Sequence, residues 1–145
     1  MAIRILSHRG GALLWPENSL LAFRNSLALP LRAGQDMVEC DVHFSADGVP
    51  VVIHDTTLDR TAEGQGRVAD LDARALSRVP LQGAGGEGVP TLSALAALVA
   101  TTPYGLQVEV KSGADGSPSP ELLFSSLAVL DAAGIRARSG IITFS

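Results

Sequence analysis

The chain has 145 residues, 46% of them apolar, a formal net charge of −4 and a single cysteine. That length suits one domain with a core of its own, and an acidic balance with no basic cluster argues against a nucleic-acid partner. Cys40 alone allows no internal disulfide, no apolar run approaches the ~18 residues of a membrane span, and a functional motif starting at Ser7-His8 leaves no room for a cleaved leader, so a cytoplasmic protein is expected.

Ile3 to Leu6 is a short apolar run that suits a buried strand opening into the loop Ser7-His8-Arg9-Gly10-Gly11. Pro16-Glu17-Asn18 then starts a helix with Asn18 as its N-cap, and Leu20, Phe23 and Leu27 give it an apolar stripe that ends before Gly34. From Val38 to Phe44 apolar and polar residues alternate, the signature of a strand with Glu39, Asp41 and His43 on one face. Two carboxylates so placed repel each other and are costly to desolvate, so something must compensate them. Ser45-Ala46-Asp47-Gly48 carries a hairpin signal, and Val51 to Asp55 is the returning strand. A loop of Ser45–Gly48 sets His54 opposite Glu39, and a loop of Asp47-Gly48 sets it opposite Asp41. Only a one-residue slip would turn His54 away. A plain solvated face is the bland alternative for such polar pairs.

Thr56 to Val89 has no clear period, many glycines and one short helix around Asp72 to Arg78. Gly83-Ala84-Gly85-Gly86-Glu87-Gly88 lacks the strand before it and the Lys-Ser/Thr after it that a phosphate loop needs, so it reads as a flexible loop. Pro90-Thr91 opens a helix with the stripe Leu92, Leu95, Leu98 and Val99. A second alternating strand follows, Leu106 to Lys111, with Gln107, Glu109 and Lys111 on one face. Ser119-Pro120 starts a helix lined by Leu123, Leu127 and Leu130 and closed by Gly134, and Ile141 to Phe144 is a last strand.

His8, Arg9, Glu39, Asp41, His54, Glu109 and Lys111 all fall at strand ends. Three carboxylates without a cysteine pair suit a divalent cation that prefers oxygen, Mg²⁺ or Ca²⁺. Arg9 and Lys111 suit a phosphate, and two histidines suit an acid and a base. Together these features ask for phosphate-ester cleavage. Asp55 either orients His54 or caps the next turn, Glu17 is a helix charge or a brace for Arg9, His43 is solvated or touches substrate, and Cys40 is a packed small residue.

The set resembles the glycerophosphodiester phosphodiesterase family in His8-Arg9-Gly10, Pro16-Glu17-Asn18-Ser19, Glu39-Cys40-Asp41-Val42, Asp47 to Asp55, Leu58-Asp59-Arg60-Thr61, Pro90-Thr91-Leu92 and Glu109-Val110-Lys111. Ser19 stands where the family often has Thr. The resemblance implies an α/β fold of the (β/α)₈ type with the site at the C-terminal ends of the strands. It implies a cation held by Glu39, Asp41 and Glu109, His8 and His54 as the acid/base pair, and Arg9 and Lys111 near the phosphate. It also implies hydrolysis of a glycerophosphodiester to sn-glycerol 3-phosphate and an alcohol, with the substrate's own glycerol hydroxyl or water as nucleophile, and makes residues 55–90 a loop-rich insertion over the barrel mouth. A whole barrel of this type takes about 250 residues. Residues 1–145 are therefore expected to form its N-terminal half, with Ile3, Ile5 and Val52 facing an open interior and self-association possible through the open edges. Two alternatives stand beside this reading. One is a phosphodiesterase for another lipid head group, lysophospholipid or phosphoinositide; the other is an inactive incomplete fragment that binds phosphate esters.

Overall fold

A computed structural model describes residues 3–113 and 115–144. The strands are β1 (Leu6–Ser7), β2 (Met37–Phe44), β3 (Pro50–Val52), β4 (Gly105–Val110) and β5 (Gly140–Ile142), and the helices are α1 (Leu20–Leu27), α2 (Ala73–Leu76), α3 (Leu92–Ala100) and α4 (Pro120–Ala132). β1, β2, β4 and β5 lie side by side in that order and in parallel, while β3 returns antiparallel against the end of β2. Strand and helix alternate as in a (β/α)₈ barrel, of which this sheet covers part of the ring, with β1 and β5 at its edges among the described residues.

The alternation in β2 and β4 decides what faces what. Val38, Cys40 and Val42 from β2 and Leu106, Val108 and Val110 from β4 turn toward the helices. There they pack with Phe23 and Leu27 of α1, Leu92, Leu95, Ala96 and Val99 of α3, and Leu122 and Leu130 of α4. Burial of these side chains is the main stabilising term for the sheet–helix layer, roughly 1.5–3 kcal/mol for each large one. Val52 also belongs to this core and is fully buried, which corrects its expected place on an open interior; Ile3 and Ile5 are exposed. In α4 the buried face is Leu122, Ser126 and Leu130, one residue round from the expected Leu123 and Leu127.

Polar anchors set the helix starts. Ser19 Oγ accepts the Ala22 N–H at 3.0 Å, Thr91 Oγ1 that of Ala94 at 3.1 Å, and Ser119 Oγ that of Leu122 at 3.3 Å, with Pro120 at the first helical position. The N-cap of α1 is thus Ser19 and not Asn18, which stands just outside with φ +56°. Before β2, the buried Asp36 carboxylate accepts the Ile5 and Arg32 N–H groups, both at 2.8 Å, and the Arg32 guanidinium. The Arg32 bonds hold that carboxyl well below the usual carboxylate range.

The hairpin differs from both expected registers. Ser45–Val49 forms the turn, with Ser45 Oγ accepting the Val49 N–H at 3.0 Å and Phe44 pairing with Pro50. This is the one-residue slip, and continued pairing would set His54 opposite Cys40. The ladder stops at Val52 instead, so the chain is free to turn His54 back toward the carboxylates.

Residues 51–89 build a second apolar cluster from Val51, Ile53, Leu58, Ala62, Val68, Leu76, Leu81, Ala84 and Val89. The glycine-rich stretch 83–88 within it is pinned rather than flexible: Ala84 is buried, and Glu87 accepts the Leu21 N–H at 3.0 Å and pairs with Arg24.

Gly105 is among the glycines required by close approach. A Cβ on Gly105, at the start of β4, would lie 2.0 Å from the Arg138 carbonyl oxygen and 2.8 Å from Met37 Cε. Gly105→Ala is therefore expected to lower unfolding stability by about 1–3 kcal/mol, read as a lower urea midpoint at unchanged slope. An unchanged midpoint would show that the 136–138 turn yields freely.

Candidate active site

Glu39 and Asp41 project from the β2 face opposite the apolar core, and the parallel register sets Asp41 beside Glu109 of β4. One oxygen from each of the three carboxylates lies within 4.8 Å of the others. Asp41 is fully buried, Glu39 nearly so and Glu109 half-buried. Burial pushes the Glu39 carboxyl up to about 7; the Arg9 N–H it accepts at 2.8 Å opposes this, and the charges of Asp41 and Glu109 add to it. Burial resists ionisation of Asp41 too, but Asn18 and Lys111 outweigh it and hold that carboxyl below its ordinary value.

Asn18 Nδ2 donates to Asp41 Oδ2 at 2.9 Å. Its left-handed backbone, which Asn tolerates better than most residues, turns this side chain inward from the helix start. Arg9 is also left-handed, φ 52°, inside a 3₁₀ turn over His8–Gly10. This conformation points its N–H at Glu39 and brings Nε to 3.3 Å from Asp41 Oδ2 and Nη1 to 3.2 Å from Glu17. Lys111 Nζ lies 2.5 Å from Glu109 Oε1 and 3.2 Å from Asp41 Oδ1, and these two carboxylates outweigh burial and raise its pKa. The charges expected near a phosphate thus stand directly on the carboxylates.

His54 lines an open cavity of about 310 Å³ with His43, Thr56, Glu109, Lys111 and Ser112. Its Nδ1 is 2.8 Å from Asp55 Oδ1, so Asp55 orients the ring. His43 is half-buried with Nε2 2.8 Å from the His54 carbonyl oxygen, donating to it, which replaces the solvated position expected at the hairpin end. His8 opens the 3₁₀ turn beside the cluster and is exposed. Glu17 braces Arg9 and is also bonded by Arg60. Sequence reasoning missed the roles of Asn18 and Arg60. Asn18 has the chemistry of a cap, and only its place one residue before Ser19, the better-placed cap, hinted otherwise.

One buried oxygen of the cluster, Glu39 Oε1, has no hydrogen-bond partner among the described residues, and Asp41 Oδ1 meets only the Lys111 ammonium, at 3.2 Å. Desolvated carboxylate oxygens that converge from two strands and are short of donors fit a hard divalent cation.

The sequence model of the glycerophosphoryl diester phosphodiesterase family matches residues 8–124, which take in every residue of this cluster. A glycerophosphodiester phosphodiesterase of Caldanaerobacter subterraneus subsp. tengcongensis is 34% identical over 118 residues, 78% of this chain and 47% of that protein. A crystal structure of this family from Agrobacterium tumefaciens superposes with a TM-score of 0.91 at 30% identity, covering 100% of this chain and 57% of the other. An Oleispira antarctica phosphodiesterase, solved in complex with the product sn-glycerol-3-phosphate, superposes with a TM-score of 0.82 at 25% identity over 99% of this chain and 58% of its own. The chain therefore spans about half the length of these relatives. With the match running from His8 past Lys111 and the fold agreeing over the whole described sheet, the chain belongs to the glycerophosphoryl diester phosphodiesterase family.

Proposed function

We propose that the protein hydrolyses glycerophosphodiesters to sn-glycerol 3-phosphate and an alcohol with the help of a divalent cation, Mg²⁺ or Ca²⁺. The observation that carries this reading is the convergence of the Glu39, Asp41 and Glu109 carboxylates, with Glu39 Oε1 buried and unpartnered among the described residues, beside His54. Family membership and the relative solved with sn-glycerol-3-phosphate support the substrate class.

Glu39, Asp41 and Glu109 would hold the cation. When bound, it offsets charge on the phosphoryl oxygens. Lys111 and Arg9, released in part from the carboxylates, would turn their donors to the same oxygens. Of the two histidines, one removes a proton from the attacking hydroxyl and the other protonates the departing alkoxide. In His54, Asp55 occupies Nδ1, which leaves Nε2 as the nitrogen that faces the reaction. No described helix is long and apolar enough to cross a membrane.

Two outcomes test the reading. Because Glu39 binds its proton up to about pH 7, that proton competes with the cation. Ca²⁺ or Mg²⁺ binding, followed as a rise in melting temperature, should tighten as pH rises from 6 to 8 (chosen to bracket that value), and Glu39→Gln should remove this pH dependence. The cation-free protein should lose stability at lower pH, as pH rises from about 4.5 to about 7, and level off above that. Between the ordinary 4.5 and the raised Glu39 value the native state holds a proton the unfolded chain has released, so the stability fully present below 4.5 is lost as pH rises through about 7. The second outcome is chemical. Turnover of glycerophosphocholine should stop with excess chelator, and His54→Ala and His8→Ala should each lower kcat by about 10²–10⁴-fold. Undiminished turnover in chelator would refute the metal-assisted route.

A further inference from the structure

Arg60 lies outside the carboxylate cluster, yet its guanidinium is bonded on both sides. Nε donates to Asp55 Oδ2 at 2.8 Å and Nη2 to Asp55 Oδ1 at 2.9 Å. Nη1 donates to Glu17 Oε2 at 3.0 Å and Nη2 to Glu17 Oε1 at 2.7 Å. Asp55 in turn meets His54 Nδ1 at 2.8 Å, and Glu17 meets Arg9 Nη1 at 3.2 Å. One planar cation thus joins the segment after β3 to the loop before α1, and it links the residue that orients His54 to the residue that braces Arg9.

We propose that Arg60 is a positioning residue for the hydrolysis: its two-pronged grip on Asp55 holds the His54 ring with Nε2 toward the substrate, and its grip on Glu17 holds Arg9 in the same frame. The inference rests on His54 acting as an acid or base in the reaction proposed above. Asp55 is partly exposed and could otherwise rotate about its own side-chain bonds, losing the plane that His54 needs. A guanidinium fork fixes that plane because both carboxylate oxygens are held at once, which a point charge cannot do. Arg60 also holds the Asp55 carboxyl well below the usual carboxylate range and, ahead of other causes, lowers that of Glu17, so both partners stay charged near neutral pH. The Arg60 side chain is 49% exposed, and ion pairs that open to water contribute little to stability. A purely structural brace would therefore leave little trace in the reaction, whereas a positioning residue changes turnover.

The test uses the whole protein, loaded with Ca²⁺ or Mg²⁺, and compares Arg60→Met, Arg60→Lys, Asp55→Asn and the Arg60→Met/Asp55→Asn pair. Arg60→Met should lower kcat on glycerophosphocholine by about 10- to 100-fold. KM should change less than about threefold and the melting temperature by no more than ~2 °C. Arg60→Lys should recover only part of the loss, because an ammonium cannot grip both oxygens. In histidine-labelled protein, the His54 Nδ1–H resonance should broaden or disappear in Arg60→Met. The double variant should be hardly slower than the slower single variant, since both changes break one unit. Unchanged kcat with an unchanged His54 resonance, a rise in KM alone, or losses that multiply in the double variant would each overturn the assignment. A His54→Ala protein with full kcat would instead sink the acid/base reading, while the Nδ1–H resonance still reports on the clamp in the parent chain. If Arg60→Met fails to fold, Arg60→Lys carries the same comparison.

Discussion

Three carboxylates brought together where water hardly reaches is the constraint to which this structure answers. An ionised carboxylate taken out of water loses several kcal/mol of hydration, and Asp41 is fully buried with Glu39 nearly so. The backbone around them is shaped to reduce that loss. Arg9 and Asn18 both adopt left-handed conformations that a simpler loop would avoid, and each thereby turns a donor onto Glu39 or Asp41. Lys111 stands two residues beyond Glu109, within reach of both Glu109 and Asp41. The compensation is incomplete, since the buried Glu39 Oε1 stays without a partner among the described residues. Sites left short of positive charge are suited to a ligand that brings it.

Around this centre the charges form a chain rather than scattered pairs. Asp41 meets Arg9, Arg9 meets Glu17, Glu17 meets Arg60, Arg60 meets Asp55, and Asp55 meets His54. Isolated surface pairs are worth little, but in a connected set each member fixes the geometry of the next. The loops that carry these residues come from different parts of the chain, so the ion pairs also settle how the β1–α1 loop and the segment after β3 sit against each other.

What the sequence made legible follows the strength of its periodic signals. β2 and β4 alternate cleanly, so the division of their faces could be read before any coordinates, and the apolar stripe of α3 with its Thr91 start was equally plain. The pairing of Asp41 with Glu109 was not readable, because a parallel register across a crossover is set by how α3 packs and not by a local turn. The hairpin misled because Ser45 closes a five-residue turn through its own hydroxyl, which shifted the ladder by one. His54 nevertheless reached the carboxylates, since the strand ended before the shift could carry it away. Thr56 to Val89 showed no clear period beyond one short helix because Leu58, Ala62, Val68, Leu81 and Val89 follow neither helical nor strand spacing, and turns bring them together around Leu76 of α2. Arg60 stood in the sequence only within Leu58-Asp59-Arg60-Thr61, with no role attached, and only distance revealed its four bonds.

β3 is short, but its successive side chains enter different interiors. Val52 packs into the sheet–helix core and Val51 into the cluster formed by residues 51–89. Val52 N–H donates to the Pro90 carbonyl at 2.8 Å, so the far end of the cluster is tied to the same strand. A segment attached in this way cannot lift off without pulling Val52 from a close-packed core and displacing His54 two residues later. Residues 51–89 are thus a fixed rim beside His54, tied to β3 at both of their ends.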